Sequence, residues 1–284
     1  MALAIVLGVI IVIGICFLIV GIIDNHRFRV VEETIVLDHL KKNCRFILLS
    51  DLHNHIYGKD NQVVIDEIRK AKPDFVIVAG DLVTSKERES TKPGEDLVNA
   101  ISKEVPVYYA MGNHETKIRT FSSFGDTFKK MMRSINHDQM HVLINESVEL
   151  KEYNIKITGL ELPRYYYSKF RIRDFSTKNI VEMVGEPDAS MCNLLIAHNP
   201  DYFRYYADWG ADFVLSGHVH GGIMRLPVLG GVISPAYVLF PEYDGGIFHH
   251  GKSTMLLGRG MGTHTLPFRF FNPGELYIVN CLRK

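Results

Sequence analysis

Five runs of mostly apolar residues recur along the middle of the chain, and each is long enough for one buried strand. They are residues 45–53, 74–82, 105–115, 192–200 and 211–222. Their hydrophobicity is continuous rather than alternating, which is typical of strands covered on both faces. Between the first two runs, Val64, Ile68 and Ala71 recur at helical spacing, and Pro73 ends the predicted helix. The pattern predicts a layered α/β fold.

The N-terminal segment has a different pattern, because residues 2–23 contain no charged side chain. At 1.5 Å per residue, such a helix covers the roughly 30 Å hydrocarbon core of a bilayer, which predicts one transmembrane helix. The alternative is a cleaved signal peptide, but no basic residue precedes the run and no small-residue cleavage site follows it. Basic residues flank only its C-terminal side, which favours a cytoplasmic main domain: Arg27, Arg29, Lys41 and Lys42.

Composition narrows the class of protein. The chain has 284 residues, of which 46% are hydrophobic and 23% charged, as in folded globular domains. Its formal net charge is zero, so no overall basic field favours nucleic acid as a partner. The four cysteines lie far apart without CxxC spacing, and we expect free thiols rather than a disulfide framework: Cys16, Cys44, Cys192 and Cys281.

Each of the five runs ends, on its C-terminal side, in polar residues able to bind metal or carry protons. In open α/β sheets the carboxyl ends of the strands form one crevice, so these side chains are expected to converge. The predicted ligands are Asp51, His53, Asp81, Asn113, His198, His218 and His220. Each alone has an ordinary structural explanation, but five coincidences at matching positions favour one shared site. Nearby glycines suit tight turns that let the backbone approach it.

The donor set indicates the chemistry. Three oxygen donors and four imidazoles, without thiolate, suit manganese, iron or zinc better than magnesium alone. Seven ligands exceed one tetrahedral site and fit two cations that share a carboxylate. Such pairs stabilise both the attacking and the leaving oxygen of an in-line displacement. We therefore predict phosphoester hydrolysis with two divalent cations, with manganese placed ahead of iron and zinc.

Taken in order, these residues resemble the signature of the calcineurin-like metallophosphoesterase superfamily. The motifs are DxH at 51–53, GD at 80–81, GNHE at 112–115, AHNP at 197–200 and GHxH at 217–220. The resemblance implies an α/β/β/α four-layer sandwich of two mixed sheets, here preceded by one transmembrane helix. It also implies how the ligands divide: Asp51, His53 and His220 on one cation, Asn113, His198 and His218 on the other, and Asp81 bridging them.

The resemblance implies a role for His114, which follows a ligand in GNHE. A hydroxide that bridges the cations would attack phosphorus, and His114 would assist the leaving oxygen. The alternative is that His114 only supports the ligands. We expect domains at 1–23 (anchor), 24–44 (connecting segment) and 45–284 (metallophosphoesterase domain).

Departures from the family pattern bear on the substrate. Protein phosphatases of the superfamily carry GDxVDRG, whereas this chain reads GDLVTSK, with Thr84 in place of the acid, which puts that activity in doubt. Through 258–279 the chain looks more like compact bacterial members, which include phosphodiesterases and pyrophosphohydrolases of lipid-linked substrates. We predict cleavage of a phosphodiester or pyrophosphate bond. The alternatives are phosphomonoester hydrolysis and a catalytically silent, membrane-tethered binding module.

Two features are candidates for substrate contact. Arg259, flanked by glycines, could engage phosphate oxygens in bidentate fashion. The stretch 164–173 interleaves aromatic and basic residues, and would either grip a substrate or form a half-exposed edge. The predicted partners are a phosphorylated small molecule or lipid-linked substrate, and the membrane through residues 2–23, with no nucleic acid.

Overall fold

The computed structural model describes residues 1–168, 172–226, 229–234, 237–263 and 268–284. Its first sheet has six strands and is mixed. The first two strands run parallel to each other, the second runs antiparallel to the third, and the third to sixth strands are parallel. In spatial order the strands are β1 (Phe28–Leu37), β14 (Gly274–Arg283), β2 (Cys44–Leu49), β3 (Phe75–Ala79), β4 (Val107–Ala110) and β5 (Met140–Leu143).

The second sheet is also mixed, with four parallel strands flanked by an antiparallel strand at each edge. In spatial order its strands are β12 (Gly246–His250), β13 (Ser253–Leu257), β9 (Phe213–Ser216), β8 (Cys192–Ala197), β7 (Ile155–Leu160) and β6 (Glu146–Leu150). A separate antiparallel pair is formed by β10 (Met224–Leu226) and β11 (Gly230–Ile233).

Helices cover the outer face of each sheet. The helices in the described residues are α1 (Ala2–Asn25), α2 (Gln62–Ala71), α3 (Lys92–Ile101), α4 (Asn113–Thr120), α5 (Thr127–Ser134), α6 (Thr177–Val184) and α7 (Phe203–Trp209). Short 3₁₀ turns lie at Ser122–Phe124, Arg164–Tyr167 and Pro200–Tyr202.

Alternate residues of the central strands pack in opposite directions. Val76 and Val78 of β3 pack against α2 and α3, whereas Phe75 and Ile77 pack toward the second sheet. A third cluster joins the far face of the second sheet to α6 and α7. Strands buried on both faces explain the continuous apolar runs. The predicted four-layer α/β/β/α sandwich is confirmed.

The N-terminal helix α1 is apolar and almost wholly exposed along its span. By length and composition it is able to cross a membrane, a property that signal sequences share. Near its end, Gly21 and Asp24 are buried against the rest of the protein. The segment 24–44, predicted as a connection, contains β1, which pairs along ten residues with β14. The domain boundaries remain a prediction.

The cysteines match their predicted state. Cys44, Cys192 and Cys281 are buried free thiols inside the fold, whereas Cys16 is exposed on α1.

Candidate metal centre

The seven predicted ligand residues follow the carboxyl ends of five strands. Asp51 and His53 follow β2, Asp81 follows β3, and Asn113 follows β4. The remaining three follow β8 and β9: His198, His218 and His220. Within each sheet these strands are parallel neighbours, so their carboxyl ends lie at one edge, and contacts of Asp81 with His198 and of Asp51 with His220 show that the two edges meet. The fold therefore directs the seven side chains toward one crevice, as the sequence predicts.

The backbone conformation sets the direction of most of these side chains. Five of the seven have positive φ, between 49° and 74°: Asp51, His53, Asp81, His218 and His220. In this left-handed region the chain turns sharply as it leaves the strand, which is uncommon for residues other than glycine. Asp and His tolerate it better than most residues. Clustered strain of this kind is typical of functional sites.

One group of side chains comprises Asp51, His53 and His220, whose potential ligand atoms all lie within 4.8 Å of one another. His220 Nε2 lies 3.3 Å from Asp51 Oδ1, and the Nε2 atoms of the two histidines are 3.0 Å apart. Asp51 Oδ1 also accepts a 2.8 Å hydrogen bond from the backbone N–H of His218. The structure thus brings together the three residues predicted to share one cation.

A second group comprises Asp81, His198 and His218, again within 4.8 Å of one another. Asp81 Oδ2 lies 3.1 Å from His198 Nε2 and 3.8 Å from His53 Nε2, so this oxygen faces both groups. Asn113 lies between Gly112 and His114 in the chain, and both of these residues contact Asp81. A Cβ on Gly112 would come within 2.2 Å of Asp81 Oδ1, and the His114 N–H donates to that same oxygen at 2.8 Å.

The donor set fits a divalent cation. Asp51 and Asp81 are two buried carboxylates side by side, and buried charges require compensation. The buried Asn113 Oδ1 accepts no hydrogen bond from the described residues. His198 Nδ1 lies 2.7 Å from the Ala79 carbonyl, to which it donates, so Nε2 is the nitrogen that faces the carboxylates and would bind a cation once it has lost its proton. Carboxylate, amide and imidazole donors suit borderline first-row cations.

Electrostatics support the same conclusion. Burial lowers the pKa of His198, but the Asp81 and Asp51 carboxylates outweigh it and raise that pKa to about 10. Burial, with a smaller contribution from Asp81, raises the pKa of Asp51 to about 6. Both shifts arise because negative charge is concentrated in a desolvated space. A positive charge in this space is therefore strongly favoured.

His114 is oriented by a backbone hydrogen bond. The N–H of Ser85 donates to His114 Nδ1 at 2.7 Å, which assigns the proton of the neutral ring to Nε2. That Nε2 lies 4.0 Å from Asp81 Oδ2. Burial lowers the pKa of His114, which favours the neutral ring. The side chain therefore presents an N–H to the site, although with His53 and Asp81 it also meets the spacing of a ligand group.

Glu115 is a supporting residue that the sequence reasoning missed. Its fully buried carboxylate accepts hydrogen bonds from the backbone N–H groups of Asp81 (2.9 Å), Val83 (3.1 Å) and Gly112 (2.9 Å). It thus joins the loop after β3 to the loop after β4, and we call this arrangement the Glu115 clamp. The signal available in the sequence was the capping-box spacing, with an acid three residues after Gly112.

The predicted substrate contacts lie beside the ligand groups. Arg259 Nη1 pairs with Glu275 at 2.9 Å, and its side chain lies against Gly221, just after His220. In the stretch 164–173, the Tyr167 ring lies 5.1 Å from the His218 ring, and residues 169–171 are outside the described residues. The substrate roles of both features remain predictions.

Comparisons with known proteins agree with this chemistry. The profile of the family described as calcineurin-like phosphoesterase matches residues 44–222, well over half of the chain. An uncharacterized metallophosphoesterase of Helicobacter pylori is 28% identical over 263 residues, covering 91% of this chain and 65% of the relative. The chain thus spans slightly less than two thirds of the length of that relative.

Two further relatives carry more specific names. The UDP-2,3-diacylglucosamine pyrophosphatase LpxG of Chlamydia muridarum is 23% identical over 292 residues, covering 84% of this chain and 83% of LpxG. The phosphodiesterase YaeI of Escherichia coli is 24% identical over 227 residues, covering 77% of this chain and 75% of YaeI.

Proposed function

The chain belongs to the calcineurin-like phosphoesterase family, and from this premise we propose that it hydrolyses a phosphodiester or pyrophosphate bond with two divalent cations. The observation that carries the proposal is the position of Asp81 Oδ2, which faces His198 of one ligand group and His53 of the other. One carboxylate between two groups suits a bridging ligand.

The proposed ligand sets follow from the two groups. Asp51, His53 and His220 would hold one cation, and His198, His218 and Asn113 the other, with Asp81 shared. The mutual spacing within each group and the buried amide oxygen of Asn113 support this division. Manganese is the first choice and iron and zinc are the alternatives, because imidazole and carboxylate ligands accommodate all three.

The cations would neutralise developing negative charge and activate water as the nucleophile. The chain's own contribution to bond cleavage would then be a hydrogen bond to the leaving oxygen. His114 suits this task because the Ser85 N–H occupies Nδ1, which leaves the proton on Nε2 facing the site. Burial keeps the ring neutral, so the Nε2–H would stabilise the negative charge that develops on the leaving oxygen through a hydrogen bond, and loss of one such donor typically costs about 10²–10³-fold in rate.

The names of two relatives support diester or pyrophosphate bonds over monoesters. LpxG is named as a pyrophosphatase and YaeI as a phosphodiesterase, and each aligns with most of this chain. In both bond types the leaving group is an alkoxide or phosphate, whose developing negative charge a hydrogen-bond donor stabilises. We further propose that α1 anchors the protein in a membrane, supported by its uninterrupted apolar length. A lipid-linked phosphoester is then the proposed substrate class.

The test uses the full chain in detergent after dialysis against a chelator. We expect no hydrolysis of bis(p-nitrophenyl) phosphate until Mn²⁺ is added, and slower hydrolysis of p-nitrophenyl phosphate. Asp81→Asn should abolish the Mn²⁺-dependent rate, whereas Asp66→Asn, a matched change at an exposed acid of α2, should not. Equal activity with and without metal contradicts the proposal. Faster monoester cleavage would favour a phosphomonoesterase, and bound metal without turnover a binding module.

A further inference from the structure

An exposed apolar surface lies beside the small sheet formed by β10 and β11, on the segments that flank its strands. Residues 226–240 contain no Asp, Glu, Lys or Arg. Within this stretch, Leu239 is 64% exposed and Phe240 is 60% exposed, and Leu229 and Val238 are exposed too. Phe271 adds a further exposed ring. We call these five side chains the ribbon surface.

The ribbon surface is joined to the end of α1. Phe270 pairs with β10 through its backbone: its N–H donates to Ile223 and its carbonyl accepts from Arg225. The rings of Phe270 and Phe271 lie 6.1 and 5.8 Å from the ring of Phe17 in α1. In addition, the N–H of Asn272 donates to Asp24 Oδ2 at 3.0 Å. The apolar surface is thus continuous with the apolar helix.

The position of Phe17 along α1 shows on which side of the charged end of this helix the neighbouring rings lie. Asp24 is the first charged residue of α1 and follows Phe17 by seven residues, which is about 10 Å of helix. The rings of Phe270 and Phe271 therefore lie beside the apolar span of α1, on the N-terminal side of Asp24, because the Phe270 ring lies against Gly21 and both rings lie near Phe17. From Phe270 the small sheet continues through β10 and β11 to Leu239, three strand spacings or about 14 Å away.

We propose that the ribbon surface enters the lipid bilayer beside α1, as a second membrane contact of the protein. A bilayer is the occupant that these observations favour, because the surface is apolar, uncharged and continuous with a helix able to span a membrane. The location of the α1 end at the interface rests on the proposed function of α1 as an anchor.

This contact places the metal centre at the membrane interface. Ile223 directly precedes β10 and follows His220 by three residues. The chain between them is at most about 10 Å long. Asn272 fixes the junction, because its Nδ2 donates to the carbonyls of His220 and Gly222, both at 2.7 Å. The substrate class that fits is an amphiphilic phosphoester whose phosphorus lies at headgroup level while its apolar part stays in the bilayer.

The test places an environment-sensitive fluorophore on single cysteines of the full chain, one chain per phosphatidylcholine nanodisc. Phe240→Cys is compared with Val36→Cys, both in a Cys16→Ser background, since the other cysteines are buried. Val36 is similarly exposed, at 58%, but lies eight residues along β1 from the anchor, about 26 Å away. The native Cys16, labelled in the wild-type chain, is the reference inside the membrane.

We expect blue-shifted emission at position 240, close to that of Cys16, and quenching by aqueous iodide several-fold weaker than at position 36. Equal quenching at 240 and 36 overturns the proposal, and so does shielding that appears only with two chains per disc, which indicates a second copy instead. Each labelled protein is also assayed with Mn²⁺ and bis(p-nitrophenyl) phosphate. If position 240 is shielded from iodide but the diester is not hydrolysed, only the proposed function is contradicted. If the diester is hydrolysed but position 240 is not shielded, only the membrane contact is contradicted.

Discussion

Replacing Glu115 by Gln tests whether the clamp maintains the metal centre. The substitution preserves size and one carbonyl oxygen, which can still accept from Asp81 and Gly112, the two N–H groups now bound to Oε2. The amide NH₂ would then meet the N–H of Val83, which now donates to Oε1. Two donors would then face each other in a fully buried position.

The magnitude follows from these contacts. Leaving one buried N–H unsatisfied costs about 1–3 kcal/mol. At about 2–4 °C per kcal/mol for a domain of this size, the Tm should fall by roughly 5 °C. Because Glu115 positions the loop that carries Asp81, the affinity for Mn²⁺ should also fall, by about 10–100-fold as for other residues that support metal ligands.

Both quantities are measurable on the detergent-solubilised full chain. Thermal unfolding can be followed through the fluorescence of the single tryptophan, and Mn²⁺ affinity by competition with a fluorescent chelator. The matched control is Glu104→Gln, whose carboxylate pairs with Arg69 on the surface, where solvent screens the pair, so both the Tm and the Mn²⁺ affinity should stay close to wild type. A Glu115→Gln protein with wild-type Mn²⁺ affinity and a Tm within about 1 °C of wild type would refute the role of the clamp.

Three further changes test other parts of the centre. His114→Ala should lower kcat by about 10²–10³-fold for a diester with an alkyl leaving group and much less for p-nitrophenolate, whose oxygen carries less developing charge; equal losses, together with weaker Mn²⁺ binding, would instead make His114 a ligand. Gly112→Ala should abolish tight Mn²⁺ binding in a chelator competition, because the new Cβ would lie 2.2 Å from Asp81 Oδ1, whereas Gly14→Ala, with no neighbour within 4 Å, should not. The raised pKa of His198, about 10, means that the metal-free site holds a proton that binding expels, so Mn²⁺ affinity should rise with pH up to that value. Calorimetry at pH 6.5 and 8.5 in buffers of different ionisation heat would detect the proton release, and pH-independent affinity would contradict it.

The strands and the convergence of the ligands could be predicted because both depend on regular geometry. Central strands covered on both faces must be apolar throughout, and β3 is buried at every position. Parallel neighbours end at the same edge, so polar residues such as Asp51 and Asp81 that follow them must approach one another. The convergence of these side chains therefore follows from the order and direction of the strands alone.

Other features depend on contacts that a local pattern does not carry. β1 contains Glu32 and Glu33 and has a mixed exposure pattern, so it resembles a polar connection until its pairing with β14, at the other end of the chain, is known. Glu115 reads as a helix-capping acid, and its bonds to Asp81 and Val83 span more than thirty residues. The ribbon surface reads as a loop of glycine, proline and apolar residues, and only its contact with α1 suggests a membrane role.

The backbone at the ligands explains why the supporting bonds are needed. Asp51 and Asp81 both adopt positive φ, which costs about 1–2 kcal/mol for a residue other than glycine. Each is held by a backbone N–H that donates to its carboxylate Oδ1 at 2.8 Å, from His218 and from His114. These donors come from loops after other strands, so both strained aspartates depend on a neighbouring loop. The ligand geometry is therefore a property of the assembled strand ends, and a change in one loop must reach ligands carried by another.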